Sequence, residues 1–249
     1  MMQKKELIGM SCCDPKVKYG RVLVKISGEA LANGGFGYDW DVVRNVCRAV
    51  KKCASLGVQV GIVVGGGNFW RGAKAVGMER SRADHMGMLA TVMNSLALAD
   101  ILEQEGVACE VQTAVDMQRI AEPFTRRGAV AALESGKVVI FGCGTGSPYF
   151  STDTGAVLRG IEIDADVVLL AKNIDGIYDA DPRVVPEAKR FDHITHKEIL
   201  DRGLRALDLT ATSLALDSGI PLLLFALEDP ENICRAVCGE DVGTLVTID

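Results

Sequence analysis

Short apolar runs alternate with helical patterns along most of the 249-residue chain, and this alternation limits the folds that are open to it. Residues 21–26 and 58–64 predict buried strands, and the apolar spacing between them predicts a helix over residues 39–56. The order strand, helix, strand then recurs to the end of the chain. Such repeats predict an α/β fold, a three-layer α/β/α sandwich with an open and mainly parallel sheet.

The remaining elements follow from the same periodicities. Strands are predicted at 107–113, 137–141, 166–171, 221–227 and 244–248, and helices at 81–105, 124–135, from 153 onward, 209–218 and 230–237. Residues 173–192, rich in Asp, Gly and Pro, predict a hairpin or an excursion from the sheet. The capping-box spacing of Thr195 and Glu198 predicts the start of a short helix. We interpret the chain as a flexible arm, 1–18, followed by one domain, 19–249.

Charge and cysteine usage exclude several classes of function. Lys plus Arg number 27 against 33 for Asp plus Glu, and this net charge of −6 argues against a nucleic acid substrate. The eight cysteines include no C-x-x-C pair, which argues against zinc and thioredoxin-like sites. We expect reduced thiols, a cytoplasmic protein, and no apolar run long enough to span a membrane.

The three histidines predict no catalytic or metal site. His193 and His196 lie three residues apart in a polar stretch and are expected at the surface. His85, at the start of a predicted helix, is interpreted as structural rather than as a catalytic base. Spacing alone indicates no Cys–His or Ser–His pairing, so no general base is visible.

Four loops that follow predicted strands have unusual compositions, and ligands of an open parallel sheet bind at the carboxyl ends of its strands. In the first loop Lys25 ends a strand, and small residues 26–31 and a glycine-rich segment, 33–37, follow it. This pattern suits a phosphate, but it fits an edge lysine beside a flexible loop equally well. In the second loop three glycines, 65–67, favour close approach of a ligand over a plain turn, and Arg71 adds a forked cation.

The third and fourth loops also combine polar groups with turn signals. The third, residues 142–153, offers hydroxyls, free backbone amides and the carboxylate of Asp153 where a helix begins. A helix cap would explain Asp153 alone, but it would not explain the whole string. The fourth loop, residues 172–182, is typical of a hairpin, and Tyr178 among polar acceptors would also suit packing beside a purine.

Taken together, these loops resemble a known family. The strings KISGEAL, VVGGGNFWRG, VVIFGCGTGSPYFSTDT, LRGIEIDADVVLLAKNIDGIYDADP and GTLVTI resemble the amino acid kinase family and, within it, the bacterial UMP kinases. The string DHMGMLATVMNSLAL, which starts at Asp84, distinguishes the UMP kinases from the aspartate, glutamate and acetylglutamate kinases. The resemblance extends over residues 19–248.

The resemblance implies a cytoplasmic, allosteric homohexamer that transfers the γ-phosphoryl group of ATP to UMP in pyrimidine nucleotide synthesis. GTP and UTP are implied as effectors, and Mg²⁺ as an ion carried by ATP rather than by a protein site. The implied ATP-site residues are Lys25, Ile26, Ser27, Gly28, Gly67, Arg71, Asn173, Tyr178 and Asp181. The implied UMP-site residues are Gly66, Asp84, Thr145, Gly146, Ser147, Pro148, Tyr149, Phe150, Ser151 and Thr152.

The expected catalytic residues are Lys25, Arg71 and Asp153. A phosphate monoester has a second pKa of about 6, so the UMP phosphate is already anionic and needs no general base. Lys25 and Arg71 would screen the repulsion between two phosphates, and Asp153 would orient Lys25 or a metal-bound water. Two alternatives remain open: a kinase of the same family that acts on a carboxylate or carbamate, and a nucleotide-binding regulator without turnover.

Overall fold

The computed structural model describes residues 16–71, 77–204 and 207–248, so most of the predicted arm and Gly72 of the second loop lie outside it. Its strands are β1 (Arg21–Ile26), β2 (Gln59–Val64), β3 (Cys109–Thr113), β4 (Glu122–Pro123), β5 (Val138–Gly142), β6 (Val167–Lys172), β7 (Ile177–Tyr178), β8 (Arg190–Phe191), β9 (His193–Thr195), β10 (Leu222–Ala226) and β11 (Gly243–Thr247). Its helices are α1 (Gly28–Leu31), α2 (Trp40–Ser55), α3 (Arg80–Gln104), α4 (Arg126–Glu134), α5 (Thr152–Glu162), α6 (His196–Arg202), α7 (Leu209–Ser218) and α8 (Asn232–Val237). Every element predicted from the sequence is present, and the periodicities missed only the short elements α1, β4 and β9.

Nine strands form one sheet in the order β4-β3-β5-β2-β1-β6-β10-β11-β9. Neighbouring strands pair in parallel except for β10 with β11, which confirms the predicted mainly parallel sheet. β7 and β8 form a separate antiparallel pair, which confirms the hairpin predicted for residues 173–192. The capping box of Thr195 and Glu198 also forms and starts α6.

The core lies on both faces of the sheet because its central strands are apolar at successive positions. In β1, Val22, Val24 and Ile26 pack into one cluster with α2, α3 and α8, whereas Leu23 packs into a second cluster with α4, α5, α6 and α7. A strand that is buried on both faces in this way is typical of a parallel sheet covered by two helical layers. The predicted three-layer sandwich is therefore confirmed.

Two expectations from the sequence are wrong in detail. The first is that no apolar run is long enough to span a membrane. α3 is the one described helix that is long and apolar enough to span a membrane by length and composition, with a mean hydropathy of 1.3. Half of the apolar stretch of α3 is buried inside the fold, where α3 packs along β3 and β5. His196 is fully buried rather than at the surface, with its Nε2 atom 3.1 Å from the carbonyl oxygen of Ile220, and burial lowers its pKa.

Candidate active site

The sheet order brings the four unusual loops to one edge of the molecule. β5, β2, β1 and β6 are consecutive neighbours and run parallel, so their carboxyl ends lie side by side. Each of these strands leads into one of the four loops. The order of the strands in the sheet differs from their order along the chain, and it alone makes the loops neighbours.

A buried ion cluster lies where β1 and β6 end. The Nζ atom of Lys25 is 2.8 Å from Oδ1 of Asp153, and the Nζ atom of Lys172 is 2.7 Å from Oδ2 of the same carboxylate. The side chains of Lys25, Asp153 and Lys172 are 9%, 14% and 17% exposed. Two cations share one anion, so the cluster keeps one net positive charge and is suited to bind an anionic ligand.

Lys25 and Lys172, the two partners of Asp153, favour the ionised form of its carboxyl group. Burial opposes ionisation of the Asp153 carboxyl, but the charges and hydrogen bonds of Lys25 and Lys172 outweigh it and lower its pKa to about 2. Burial lowers the pKa of Lys172, and the charge of Asp153 opposes that shift. Asp153 is therefore an anion at neutral pH and acts as the counter-ion of the cluster.

Asp208 fixes the start of the helix that carries Asp153. Ser151 is the N-cap of α5, and its hydroxyl donates to one carboxylate oxygen of Asp208. The hydroxyl of Thr154 donates to the other oxygen at 2.9 Å, and so does the backbone amide of Ala211 in α7. Because Ser151 caps the helix, Asp153 lies in its first turn and is not the cap.

The glycines of the first two loops are required by contact between backbones. A Cβ atom on Gly28 would lie 2.3 Å from the carbonyl oxygen of Gly65, and one on Gly66 would lie 2.8 Å from that of Gly87 in α3. Asn94 of α3 donates to the carbonyl oxygen of Gly65 at 2.6 Å and so ties the second loop down. The three consecutive glycines thus have a structural reason as well as any binding role.

Arg71 lies at the rim of this edge rather than in the buried cluster. Its guanidinium group pairs with Glu29 of α1, and the two side chains are 43% and 37% exposed. An exposed pair of this kind exchanges partners at little cost, because solvent screens the attraction. Arg71 is therefore available to a ligand that approaches the glycine loop.

A cleft of about 140 Å³ opens beside the cluster, between α3 and the third loop. Seven residues assigned to the UMP site line it: Gly66, Asp84, Thr145, Ser147, Phe150, Ser151 and Thr152. Further lining residues, which belong to the same loops and strings but were not assigned to the UMP site from the sequence, are Trp70, Gly87, Met88, Thr91, Cys143 and Gly144. Gly146, Pro148 and Tyr149 belong to the same loop but do not line the cleft.

Asp84 joins the two walls of the cleft. One of its oxygens accepts from the Nε atom of Arg80 at 2.8 Å and from the backbone amide of Tyr149 at 2.9 Å. The N-cap of α3 is Glu79, whose carboxylate accepts from the amides of Ser81 and Arg82. Asp84 is therefore not the helix cap, and its carboxylate faces the cleft from the first turns of α3.

Comparison with known proteins identifies the family to which a chain with this fold and these loops belongs. The amino acid kinase family matches residues 20–226 of the chain. The chain belongs to the amino acid kinase family. It is similar to the crystal structure of UMP kinase from Bacillus anthracis, with 35% identity, 93% of this chain and 97% of that chain covered, and a TM-score of 0.89.

Two other solved structures are similar to this amino acid kinase. UMP kinase from Ureaplasma parvum is 34% identical, with coverages of 92% and 99% and a TM-score of 0.84. Uridylate kinase from Archaeoglobus fulgidus is 29% identical, with coverages of 91% and 99% and a TM-score of 0.72. The family resemblance inferred from the sequence is confirmed.

The residues assigned to the ATP site are more dispersed in this kinase. Gly28 and Gly67 lie where the first two loops touch. The side chain of Ile26 is in the core, so only its backbone is available, and Ser27 begins α1 without a side-chain hydrogen bond to the helix. Asn173, Tyr178 and Asp181 lie outside the cleft, on the segment that follows β6. There the Tyr178 hydroxyl donates to Asp175, and Asp181 pairs with Arg183.

Sequence reasoning missed Lys172 of the buried cluster, and also Asp208, which ties Ser151 and Thr154 to α7. Lys172 belongs to the fourth loop, and although Asn173 is the residue assigned to ATP, the sequence alone left open which of the two faces the nucleotide. Asp208 gave no signal, because an aspartate before an apolar helix is the commonest cap pattern. The pairing of β1 with β6 would have indicated Lys172, since it brings the lysine that ends β6 to the end of β1.

Proposed function

We propose that this amino acid kinase is a UMP kinase, which transfers the γ-phosphoryl group of ATP to UMP and releases ADP and UDP. One observation carries the proposal: the cleft lined by the residues assigned to UMP opens beside the buried, net positive cluster of Lys25, Asp153 and Lys172. An acceptor phosphate in the cleft and a donor phosphate on the cluster would meet at one sheet edge. The similarity to three solved UMP and uridylate kinases supports the same reaction.

The proposed chemistry depends on charge and position rather than on proton transfer. Lys25 and Lys172 bind the donor phosphates, and Arg71 leaves Glu29 to bridge donor and acceptor phosphates. Asp153 holds the two lysines in register and does not attack. Preorganised charges of this kind stabilise the phosphoryl group in the transition state, and they need no reorganisation as charge moves.

Magnesium enters this scheme as part of the ATP substrate. Both oxygens of Asp153 already contact lysines, and no group of three His, Cys, Asp or Glu side chains in residues 16–71, 77–204 and 207–248 is placed to hold a metal ion. These residues fit an ion that the ATP phosphates carry, as Mg²⁺ in phosphoryl-transfer enzymes commonly is. The ion supplies further neutralisation of phosphate charge.

Nucleotide recognition is divided between the two sides of the site. On the acceptor side Asp84 would accept hydrogen bonds from the ribose of UMP, and the third loop, residues 145–152, would surround its base and phosphate. On the donor side Asn173, Tyr178 and Asp181 would face the adenosine of ATP. We assign residues 19–249 to one catalytic domain, because nine of the eleven described strands, including β1 near its start and β11 near its end, join the same sheet.

We further propose a cytoplasmic homohexamer in pyrimidine nucleotide synthesis, with GTP and UTP as effectors. The outer face of α3 supports assembly, since it exposes apolar side chains that a monomer would leave in water: Met86, Leu89, Met93 and Leu96. Light scattering at micromolar concentration should report about six subunits, and a fully active monomer would refute this part of the proposal.

A coupled assay of ADP release tests the reaction directly. The acceptors to compare are UMP, CMP, dUMP, aspartate, glutamate and carbamate, with the Lys25→Ala variant as the control for a contaminating kinase. UMP should give the highest kcat/KM, and dUMP should be poorer because it lacks one ribose hydroxyl. Turnover with an amino acid or carbamate would favour the related carboxylate and carbamate kinases. Binding of UMP without turnover would favour a regulator.

A further inference from the structure

The third loop begins in an unusual backbone conformation. Cys143, which is buried, has a φ angle of +65°, and Gly144, which follows it, has a φ angle of +55°. A residue with a side chain rarely adopts this left-handed conformation, and it persists only where surrounding groups hold it. Gly144 and Thr145 line the cleft, so whatever holds this turn also sets the shape of the cleft wall.

One anchor of the turn comes from α3. The backbone amide of Cys143 donates to Oγ1 of Thr91 at 2.8 Å, in a fully buried hydrogen bond. Thr91 also lines the cleft, so a change at this residue would disturb both the turn and any ligand directly.

The other anchor comes from α5, on the side away from α3. The Nη2 atom of Arg159 donates to the carbonyl oxygen of Gly144 at 3.3 Å. One turn earlier in the same helix, Gly155 packs against Gly144 so closely that a Cβ atom there would lie 3.3 Å from its Cα atom. Arg159 does not line the cleft, and it therefore reaches the site only through the loop.

Arg159 is itself held rigidly. Its side chain is 4% exposed, its Nη1 atom pairs with Glu162, and its guanidinium carbon lies 3.8 Å from the centre of the Phe124 ring. Its Nε atom has no hydrogen-bond partner among the described residues. Burying a cation that has an unpaired donor costs desolvation free energy. An apolar side chain at this position would pack against the helix without that cost. This cost is better explained by a requirement for the bond to Gly144.

We propose that Arg159 is a positioning residue for the acceptor nucleotide, acting through the carbonyl group of Gly144. The inference rests on the proposed function, since it takes the cleft as the site of UMP. Arg159 keeps the turn at Cys143 and Gly144 in the conformation that places Thr145 and the following residues around the acceptor. It leaves the donor side unaffected, because the buried lysines are fixed by Asp153 in the first turn of α5 and not by the turn at Cys143 and Gly144.

The test compares two substitutions of Arg159 with a matched change of its partner. Arg159→Lys keeps the buried charge and its attraction to Glu162 but loses the fork that reaches Gly144. Arg159→Met keeps the length and loses the charge. Glu162→Gln is the control, because it weakens the ion pair and leaves the bond to Gly144 in place. For each protein, kcat, the KM values for UMP and ATP, and Tm are measured.

We expect both Arg159 variants to raise KM for UMP about tenfold to a hundredfold, because a small displacement of a positioning group is enough to cost this much. KM for ATP should stay within about twofold, and Glu162→Gln should lower Tm without changing either KM. Arg159 variants that lower Tm and leave KM for UMP unchanged would overturn the proposal. So would equal rises in both KM values, or the failure of both variants to fold.

Failure of the proposed function gives a different result. In that case the wild-type protein itself would not turn over UMP. The same comparison, made with whichever acceptor it does use, would still report whether Arg159 positions the acceptor.

Discussion

The charged groups at the sheet edge fall into two regions that differ in their contact with water. In the buried cluster Lys25 and Lys172 share the carboxylate of Asp153, and all three side chains are less than one-fifth exposed. At the rim Arg71 pairs with Glu29, and these two side chains are 43% and 37% exposed. Arg80, which is 46% exposed, pairs there with Asp84, whose own side chain is 14% exposed. Both regions consist of cationic side chains paired with carboxylates, lysines in the cluster and arginines at the rim.

The difference lies in what happens when a partner is lost. A buried charge that loses its partner cannot gain water in exchange, so the folded state is destabilised. An exposed rim charge, such as Arg71, Glu29 or Arg80, is solvated again when it loses its partner, or it binds a ligand instead. The buried cluster is therefore suited to hold fixed charge for the reaction, and the rim pairs are suited to exchange partners with substrates.

Asp153→Asn is expected to have the largest effect, because it removes the one anion between two buried lysines. We expect the free energy of unfolding to fall by about 3–5 kcal/mol and kcat to fall with it. Urea denaturation of the variant measures the first quantity. Asp164→Asn is the matched control, since Asp164 pairs with Arg126 at the exposed surface and its loss should change little. Equal effects of the two substitutions would remove the distinction between the regions.

Lys25→Ala should affect activity rather than folding. It leaves Asp153 with Lys172 alone, a neutral pair, so the fold should survive while one charge is lost at the transferring group. Loss of one preorganised donor costs about 3 kcal/mol, and kcat should therefore fall about a hundredfold. Circular dichroism and steady-state kinetics on one preparation measure both properties. A folded variant with wild-type turnover would show that Lys25 is only a structural partner of Asp153.

Asp84→Asn tests the rim on the acceptor side. A hydrogen bond to a charged acceptor contributes about 1.5–3 kcal/mol, so KM for UMP should rise about tenfold to a hundredfold while KM for ATP hardly changes. Glu79→Gln is the control, because Glu79 caps α3 and its loss should lower Tm without affecting KM for UMP. If Asp84→Asn lowers Tm and spares KM for UMP, Asp84 has only the structural role of joining the cleft walls.

Glu29→Gln should have the smallest effect. It breaks the exposed pair with Arg71, which contributes at most about 1 kcal/mol to stability because solvent screens it. The freed arginine should bind phosphate at least as well as before, so KM for ATP should stay the same or fall. Thermal unfolding and the KM for ATP measure these effects. A loss of stability comparable to that of Asp153→Asn would show that the exposed pair contributes as much to stability as the buried cluster.

The local parts of this molecule could be predicted from the sequence. The buried strands, the amphipathic α2 and the capping box of α6 all depend on residues within one or two turns of each other. Their periodicity is visible without knowledge of the fold. The loops at the carboxyl ends of the strands were equally visible, because glycine runs and isolated charges stand out between apolar segments.

Groups that join distant segments could not be assigned in this way. His196 lies in a polar stretch, yet α6 turns its ring inward to the carbonyl oxygen of Ile220. Asp208 follows the helix-cap pattern, and only the packing of α7 beside α5 brings it to Ser151 and Thr154. Arg159 lies near the end of α5, and its bond to Gly144 depends on how α5 lies against the third loop.

The sequence by itself determined the order of strands and helices, the parallel character of the sheet, the family, and the loops that carry the chemistry. Local periodicity and short motifs contain that information, because they reflect interactions between near neighbours in the chain. The tertiary structure alone decided that Lys172, rather than Asn173, shares the carboxylate of Asp153 with Lys25. The physical reason is that β6 pairs with β1, which precedes it in the chain by more than a hundred residues, and the meeting of three charges at their ends follows from that pairing.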